Sequence, residues 1–108
     1  MYTSCFSRYT GENGISIAIK APNSFHGKSF PPLFPKWDFL NKYKKDGDAT
    51  FYTKCYEEQV LSVLNPQRVY DDLADKALLC WEAPGQFCHR RLVAEWLQKS
   101  LNVSIPEF

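Results

Sequence analysis

The stretch that decides the fold runs from Lys76 to Leu101, KALLCWEAPGQFCHRRLVAEWLQKSL. Ala77, Leu78 and Leu79 form a short apolar run of the kind a buried strand shows, Pro84 and Gly85 break it, and a helical pattern opens near Cys88. The reading is strand, turn, helix. Cys80, Trp81 and Glu82 then fall at the strand's exit, while Cys88, His89, Arg90 and Arg91 fall in the helix's first turn. Reactive side chains thus converge where an open α/β sheet places its ligand, beyond the carboxyl ends of its strands.

Working outward, the last helix buries Leu92, Val93, Trp96 and Leu97 and exposes Arg91, Glu95, Gln98 and Lys99, with Glu95 and Lys99 spaced as an i, i+4 pair. It ends near Asn102, and Val103 to Ile105 reads as a short edge strand before Pro106. Upstream, Asn65-Pro66 is a cap followed by proline at the first helical position, which predicts a short helix to about Ala74 with Val69 and Leu73 inward. Asp48 is the N-cap of a longer helix to Leu64, with Tyr52, Tyr56, Val60, Val63 and Leu64 on its inner face. Before it, Pro35 opens a helix over Lys36 to Lys45 with Trp37, Leu40 and Tyr43 inward, stopped by Gly47.

The N-terminal third is strand and loop. Tyr2 to Phe6 alternates at strand period, and Ile15, Ile17 and Ile19 alternate with Ser16, Ala18 and Lys20. The connection from Phe6 to Gly14 is too short for a helical crossover, which leaves the strand order open. Asn23 to Pro35, with Phe25, His26, Phe30 and Phe34, is a long aromatic loop. Such a loop needs a surface to pack on, so it is expected to cover the sheet's carboxyl edge and to bring His26 or Lys28 near Arg90. The expected architecture is one compact three-layer α/β domain over residues 1–108, a small, mainly parallel sheet with helices on both faces.

Composition narrows the class. Hydrophobic residues at 44% and aromatic residues at 16% are enough for a core, and thirteen basic against twelve acidic residues give a net charge of +1. No global field draws the chain to nucleic acid or membrane, so any polyanion has to be gripped locally. The absence of an apolar run of membrane-spanning length, and an N-terminus Met1-Tyr2-Thr3-Ser4 without the features of a signal peptide, lead to the expectation of a cytoplasmic protein with no membrane partner. Its four cysteines, Cys5, Cys55, Cys80 and Cys88, are then expected as reduced thiols. Composition says nothing about oligomeric state.

Each site residue has a functional and a plain reading. A helix start offers unpaired N–H groups and a partial positive charge, to which His89 and Arg90 add donors, so a phosphate or carboxylate is the natural ligand. The plain reading is a solvated arginine pair and a histidine satisfied by a carbonyl. Cys88 there is a candidate nucleophile, beside His89 and Glu82, or a small apolar filler. Glu82 is a general base or hydrogen-bond acceptor, or else an ordinary salt-bridge partner of Arg90 or Arg91. Cys80, Cys88 and His89 are acceptable zinc ligands, with Glu82, Cys5 or Cys55 as a fourth, but paired Cys-x-x-Cys spacing is absent and no metal is assigned. Gln86 stands where a phosphatase loop opened by Cys80 would need arginine. Thr3 and Ser4 add hydroxyls if their strand neighbours that of Cys80, and Lys20 ends the second strand as a further cation or a surface lysine. Phe25, His26, Phe30 and Trp37 stack a base or, more commonly, join the core.

LLCWE followed after a short turn by FCHRRLVAEWL resembles the signature of the domain of unknown function family numbered 488: a Cys-x-Glu strand exit and a Cys-His-Arg helix start. The N-terminal YTS strand, the isoleucine-rich second strand and the proline-and-aromatic loop fit as well, so the resemblance spans essentially the whole chain. It implies a small cytosolic α/β domain with no settled activity, and Trp81 between Cys80 and Glu82 would narrow its pocket. With that signature matched, the favoured expectation is binding, or processing, of a phosphate-bearing small molecule, a nucleotide or a nucleic-acid end. Cys88, His89 and Glu82 would be the catalytic candidates, with Arg90, Cys80, Thr3, Ser4, Lys20 and His26 as ligand-binding residues. No cofactor is expected. The alternatives are a structural or protein-interaction module, in which the motif is a buried hydrogen-bond network, and a Cys/His zinc site.

Overall fold

A computed structural model describes residues 1–108. The chain is a small α/β domain around a four-stranded, all-parallel sheet. Its strands are β1 (Tyr2–Cys5), β2 (Gly14–Ser16), β3 (Lys28–Ser29) and β4 (Ala77–Cys80), in the spatial order β1-β4-β2-β3. Its helices are α1 (Trp37–Asp46), α2 (Ala49–Gln59), α3 (Pro66–Asp72) and α4 (His89–Leu101). No helix is long and apolar enough to cross a membrane.

β4 is central because its four residues are buried, which suits a strand paired on both edges and covered on both faces. Its register sets Cys80 opposite Cys5 and Leu78 opposite both Thr3 and Ile15. The face carrying Ile15, Ile17 and Leu78 packs into one core with Phe39 of α1, Tyr52 and Tyr56 of α2, Val69 of α3 and Val93 and Leu97 of α4. The opposite face is closed by loops. Tyr9 meets Tyr2 at 6.2 Å between ring centroids, Phe108 meets Tyr2 at 5.1 Å, and Tyr9 and Leu79 crowd Gly14 so closely that a Cβ there would lie 2.7 Å from Leu79 Cδ1. The third layer is thus built by loop aromatics where the sequence suggests more helices.

Helix boundaries follow their caps. Asp48 Oδ1 accepts from the Phe51 amide and Asn65 Oδ1 from the Arg68 amide, so α2 and α3 begin where the cap residues imply. α2 stops at Gln59 and yields to a 3-10 turn over Leu61–Val63, which leaves Val63 exposed instead of inward. In α1, Phe39 takes the buried position and Trp37 is 54% exposed. β2 ends at Ser16, short of Ile19, because the chain turns at Ala18, whose amide and carbonyl both meet Ser16 Oγ. The expected loop from Asn23 to Pro35 contains β3 and a 3-10 turn over Pro31–Leu33. The edge strand expected at Val103–Ile105 does not form; a single parallel bridge joins Thr3 and Glu107 instead, with Thr3 N–H donating to the Pro106 carbonyl and the Phe108 amide to the Thr3 carbonyl.

Tyr56 ties that aromatic loop to the core, since its fully buried hydroxyl donates to the Leu33 carbonyl at 2.7 Å. Tyr56→Phe strands the carbonyl and is expected to lower unfolding free energy by about 1–3 kcal/mol in urea denaturation.

Candidate functional site

β4 leaves the sheet at Cys80, a turn helped by Gly85 at φ 88° reverses the chain, and Cys88 caps α4 in an extended conformation. The helix therefore starts over the end of the strand that precedes it, and both sulfurs enter one buried cluster with Ala18 and Phe6. Cys80 and Cys88 are joined by a disulfide, whereas Cys5 and Cys55 are free. The sequence reading expects four thiols; in this structure two of the four, Cys80 and Cys88, are paired. Residues eight apart in sequence meet because strand exit and helix start share one end of the sheet. Cys5 stands beside Cys80 in the register, but its sulfur faces Ser7 Oγ at 3.5 Å.

His89 is buried, and its Nε2 lies 2.7 Å from the Ile17 carbonyl oxygen. A carbonyl only accepts, so Nε2 carries the proton and Nδ1 keeps its lone pair. That lone pair is on the side of the cysteines, with Nδ1 3.8 Å from Cys88 Sγ. Burial pushes the imidazole pKa down to about 4; the Ile17 carbonyl opposes the shift and the charge of Arg90 reinforces it.

Arg90 has no exposed surface. Its Nε and Nη2 donate to Glu107 Oε1 and Oε2 at 2.7 and 3.1 Å, and its Nη1 donates to Cys80 Sγ at 3.0 Å. Thr3 Oγ1 donates to Glu107 Oε1 at 2.8 Å and accepts from Arg91 Nη1 at 2.9 Å, and the same Nη1 reaches the Ile105 carbonyl. Burial pushes the Glu107 carboxyl up, but hydrogen bonds from Arg90 and Thr3 outweigh it and hold the group below its usual value. Ser4 Oγ donates to the Phe108 carbonyl. The charged network thus fastens the 106–108 segment along the outer edge of β1.

Several expected members stand elsewhere. Glu82 pairs with neither arginine; it lines a cavity of about 60 Å³ with Cys88, His89, Pro35, Tyr52 and Phe87. Buried Tyr52 on that wall has its pKa raised by burial first and by the Glu82 charge second. Lys20 is exposed, and its carbonyl accepts from Trp81 Nε1 at 2.7 Å. His26 lies in a separate cavity of about 490 Å³ with Tyr9, Glu12 and Phe25, and Lys28 pairs in register with Ile15. The loop covering the site is therefore its second half, through Pro35, because β3 holds the first half against β2. Glu107, which sequence reasoning passed over, is an isolated acid between Pro106 and Phe108. Its one legible signal was the need of a buried Arg90 for an anion.

The donor atoms of Cys80, Cys88 and His89 all lie within 4.8 Å of one another, a spacing at which the three could hold a metal ion once the sulfurs are reduced. Comparison with family models, curated proteins and solved structures found no match for this chain.

Two measurements test the network. Glu107→Ala leaves the Arg90 charge buried without its anion and is expected to cost about 3–5 kcal/mol in chemical denaturation. For pH, the unfolded chain protonates His89 near 6.5 and the native chain only near 4, so its contribution is complete above 6.5 and is lost as pH falls toward 4. The drop is expected to reach about 3 kcal/mol, with Glu107 adding further loss below 4.5. His89→Asn should flatten the part between 6.5 and 4.

Proposed function

We propose that this domain is a thiol–disulfide redox unit in which Cys80 and Cys88 react with a small hydroperoxide-class oxidant. The observation that carries the reading is the pairing of Cys80 with Cys88 across one turn, with Arg90 Nη1 on one sulfur and His89 Nδ1 beside the other. Both cysteines are nearly inaccessible, at 1% and 4% exposure, which argues against exchange with a bulky protein disulfide. The cavity of about 60 Å³ beside Cys88 suits an oxidant of a few atoms.

In the first step the Cys88 thiolate attacks one peroxide oxygen, the O–O bond breaks, and hydroxide or alkoxide leaves with the electron pair, giving a sulfenic acid on Cys88. In the second the Cys80 thiolate, favoured by the Arg90 guanidinium, attacks the Cys88 sulfur and hydroxide leaves as the disulfide forms. Two protons neutralise the leaving groups, two thiols are oxidised and one peroxide is reduced. A small-molecule dithiol restores the pair by thiol–disulfide exchange and leaves as its own disulfide. The cytoplasmic setting implied by the family resemblance would keep the resting form a dithiol.

Intact-mass and thiol counting test this. Reduced protein, freed of metal by chelator, is expected to lose two thiols per added equivalent of hydrogen peroxide, with Cys80 and Cys88 in one disulfide-linked peptide. Cys80→Ser should stop at a sulfenic acid on Cys88 that a dimedone-type probe traps. Oxidation confined to Cys55, or no faster than that of a free thiol, overturns the proposal.

A second reading, in which a phosphate-bearing ligand or nucleic-acid end binds at Arg90, is favoured by one observation: Arg90 already grips an anion, the Glu107 carboxylate, with two parallel hydrogen bonds. Such a ligand would replace that carboxylate by lifting residues 106–108 from β1. Under this reading Glu107→Gln raises phosphate- or nucleotide-induced thermal stabilisation over wild type; equal, negligible shifts in both proteins sink it.

A further inference from the structure

We infer that the reduced form of this domain binds one thiophilic divalent cation of the zinc type through Cys80 Sγ, Cys88 Sγ and His89 Nδ1. The inference goes beyond the redox reading and does not rest on it, since it needs only the dithiol state.

Four features of the site point to a metal. First, the three donor atoms lie within 4.8 Å of one another, and tetrahedral zinc, with bonds of about 2.3 Å to sulfur and 2.0–2.1 Å to nitrogen, sets its donors roughly 3.6–3.8 Å apart. The 3.8 Å between Cys88 Sγ and His89 Nδ1 is already of that size. Second, the Cα atoms of Cys80 and Cys88 are 7.4 Å apart, beyond the span of about 4.4–6.8 Å usual for a disulfide, and a bridging ion lets the two sulfurs separate while both stay bound.

Third, the surrounding hydrogen bonds are those that orient metal ligands. The Ile17 carbonyl takes the Nε2 proton and so fixes the tautomer whose Nδ1 lone pair is available, and Arg90 Nη1 donates to Cys80 Sγ, the bond a metal-bound thiolate accepts. Fourth, the charge is compatible. Glu107 neutralises Arg90 through two hydrogen bonds, so two thiolates balance a divalent cation in a buried site. The cavity beside Cys88 and His89 leaves room for a water molecule in the fourth coordination position.

The experiment titrates reduced full-length protein anaerobically with Co²⁺, then displaces it with Zn²⁺. One cobalt per chain is expected, with thiolate-to-cobalt charge transfer in the near ultraviolet and the intense visible bands of a tetrahedral site. Both signals should vanish on oxidation to the disulfide. Cys5→Ser/Cys55→Ser should keep them, Cys88→Ser should lose them, and His89→Gln should keep charge transfer but alter the visible bands. Should a ligand variant fail to fold, alkylation mapping of the wild type replaces it: Zn²⁺ is expected to protect Cys80 and Cys88 and to leave Cys55 reactive. Binding that survives in Cys88→Ser, or wild-type protein that takes up no cobalt, overturns the inference. Peroxide oxidation measured in chelator tells the two proposals apart, because it can succeed or fail with no metal present.

Discussion

A guanidinium with no exposed surface sits at the start of α4, and much of this end of the molecule is arranged around making that burial tolerable. An arginine cannot shed its proton, so Arg90 needs an anion and acceptors in place of water. Glu107 supplies the anion in bidentate form and the Cys80 sulfur takes a third donor. The consequence reaches the chain's last residues: with Thr3 hydrogen-bonded to the same carboxylate, residues 106–108 are held against β1 and cover its free edge. A bare strand edge is a template for unwanted pairing, and here a charge pair recruits its cover.

The same burial shapes the chemistry next door. His89 lies too deep to be protonated at neutral pH, and its one carbonyl partner leaves the other nitrogen with a free lone pair beside Cys88. Between His89 and Arg90, the two sulfurs face a neutral acceptor on one side and a neutralised cation on the other. Such a setting supports both electron transfer between thiols and disulfide and the holding of a soft cation. The two uses exclude one another at any instant, because the disulfide removes the thiolates a metal needs. If both occur, oxidation releases the ion.

Glu82 marks the division of the site into two compartments. It faces the small cavity with Tyr52, Phe87 and Pro35, while Arg90 reaches Glu107 and Arg91 reaches Thr3 and the Ile105 carbonyl. The motif that reads in sequence as one convergent cluster is a cysteine–histidine centre with a carboxylate-lined access on one side and a closed ion-pair network on the other. The phosphate reading depends on opening the second compartment; the redox and metal readings use the first.

By itself the sequence determined the local features: the strand–turn–helix of residues 76–101, the Asp48 and Asn65 caps, the stop near Asn102, and the inward positions of Tyr52 and Tyr56 on α2 and of Val93 and Leu97 on α4. Each of these is written in a few neighbouring residues, through hydrogen bonds to a cap or spacing along one element. Only the tertiary structure decided that β4 lies between β1 and β2, that Lys28–Ser29 adds a fourth strand, that Cys80 joins Cys88, and that Arg90 answers to Glu107 instead of Glu82. These features depend on which elements pack side by side. A two-residue strand has no period to read, and Glu107 becomes Arg90's partner only once the chain's end has been laid beside its beginning.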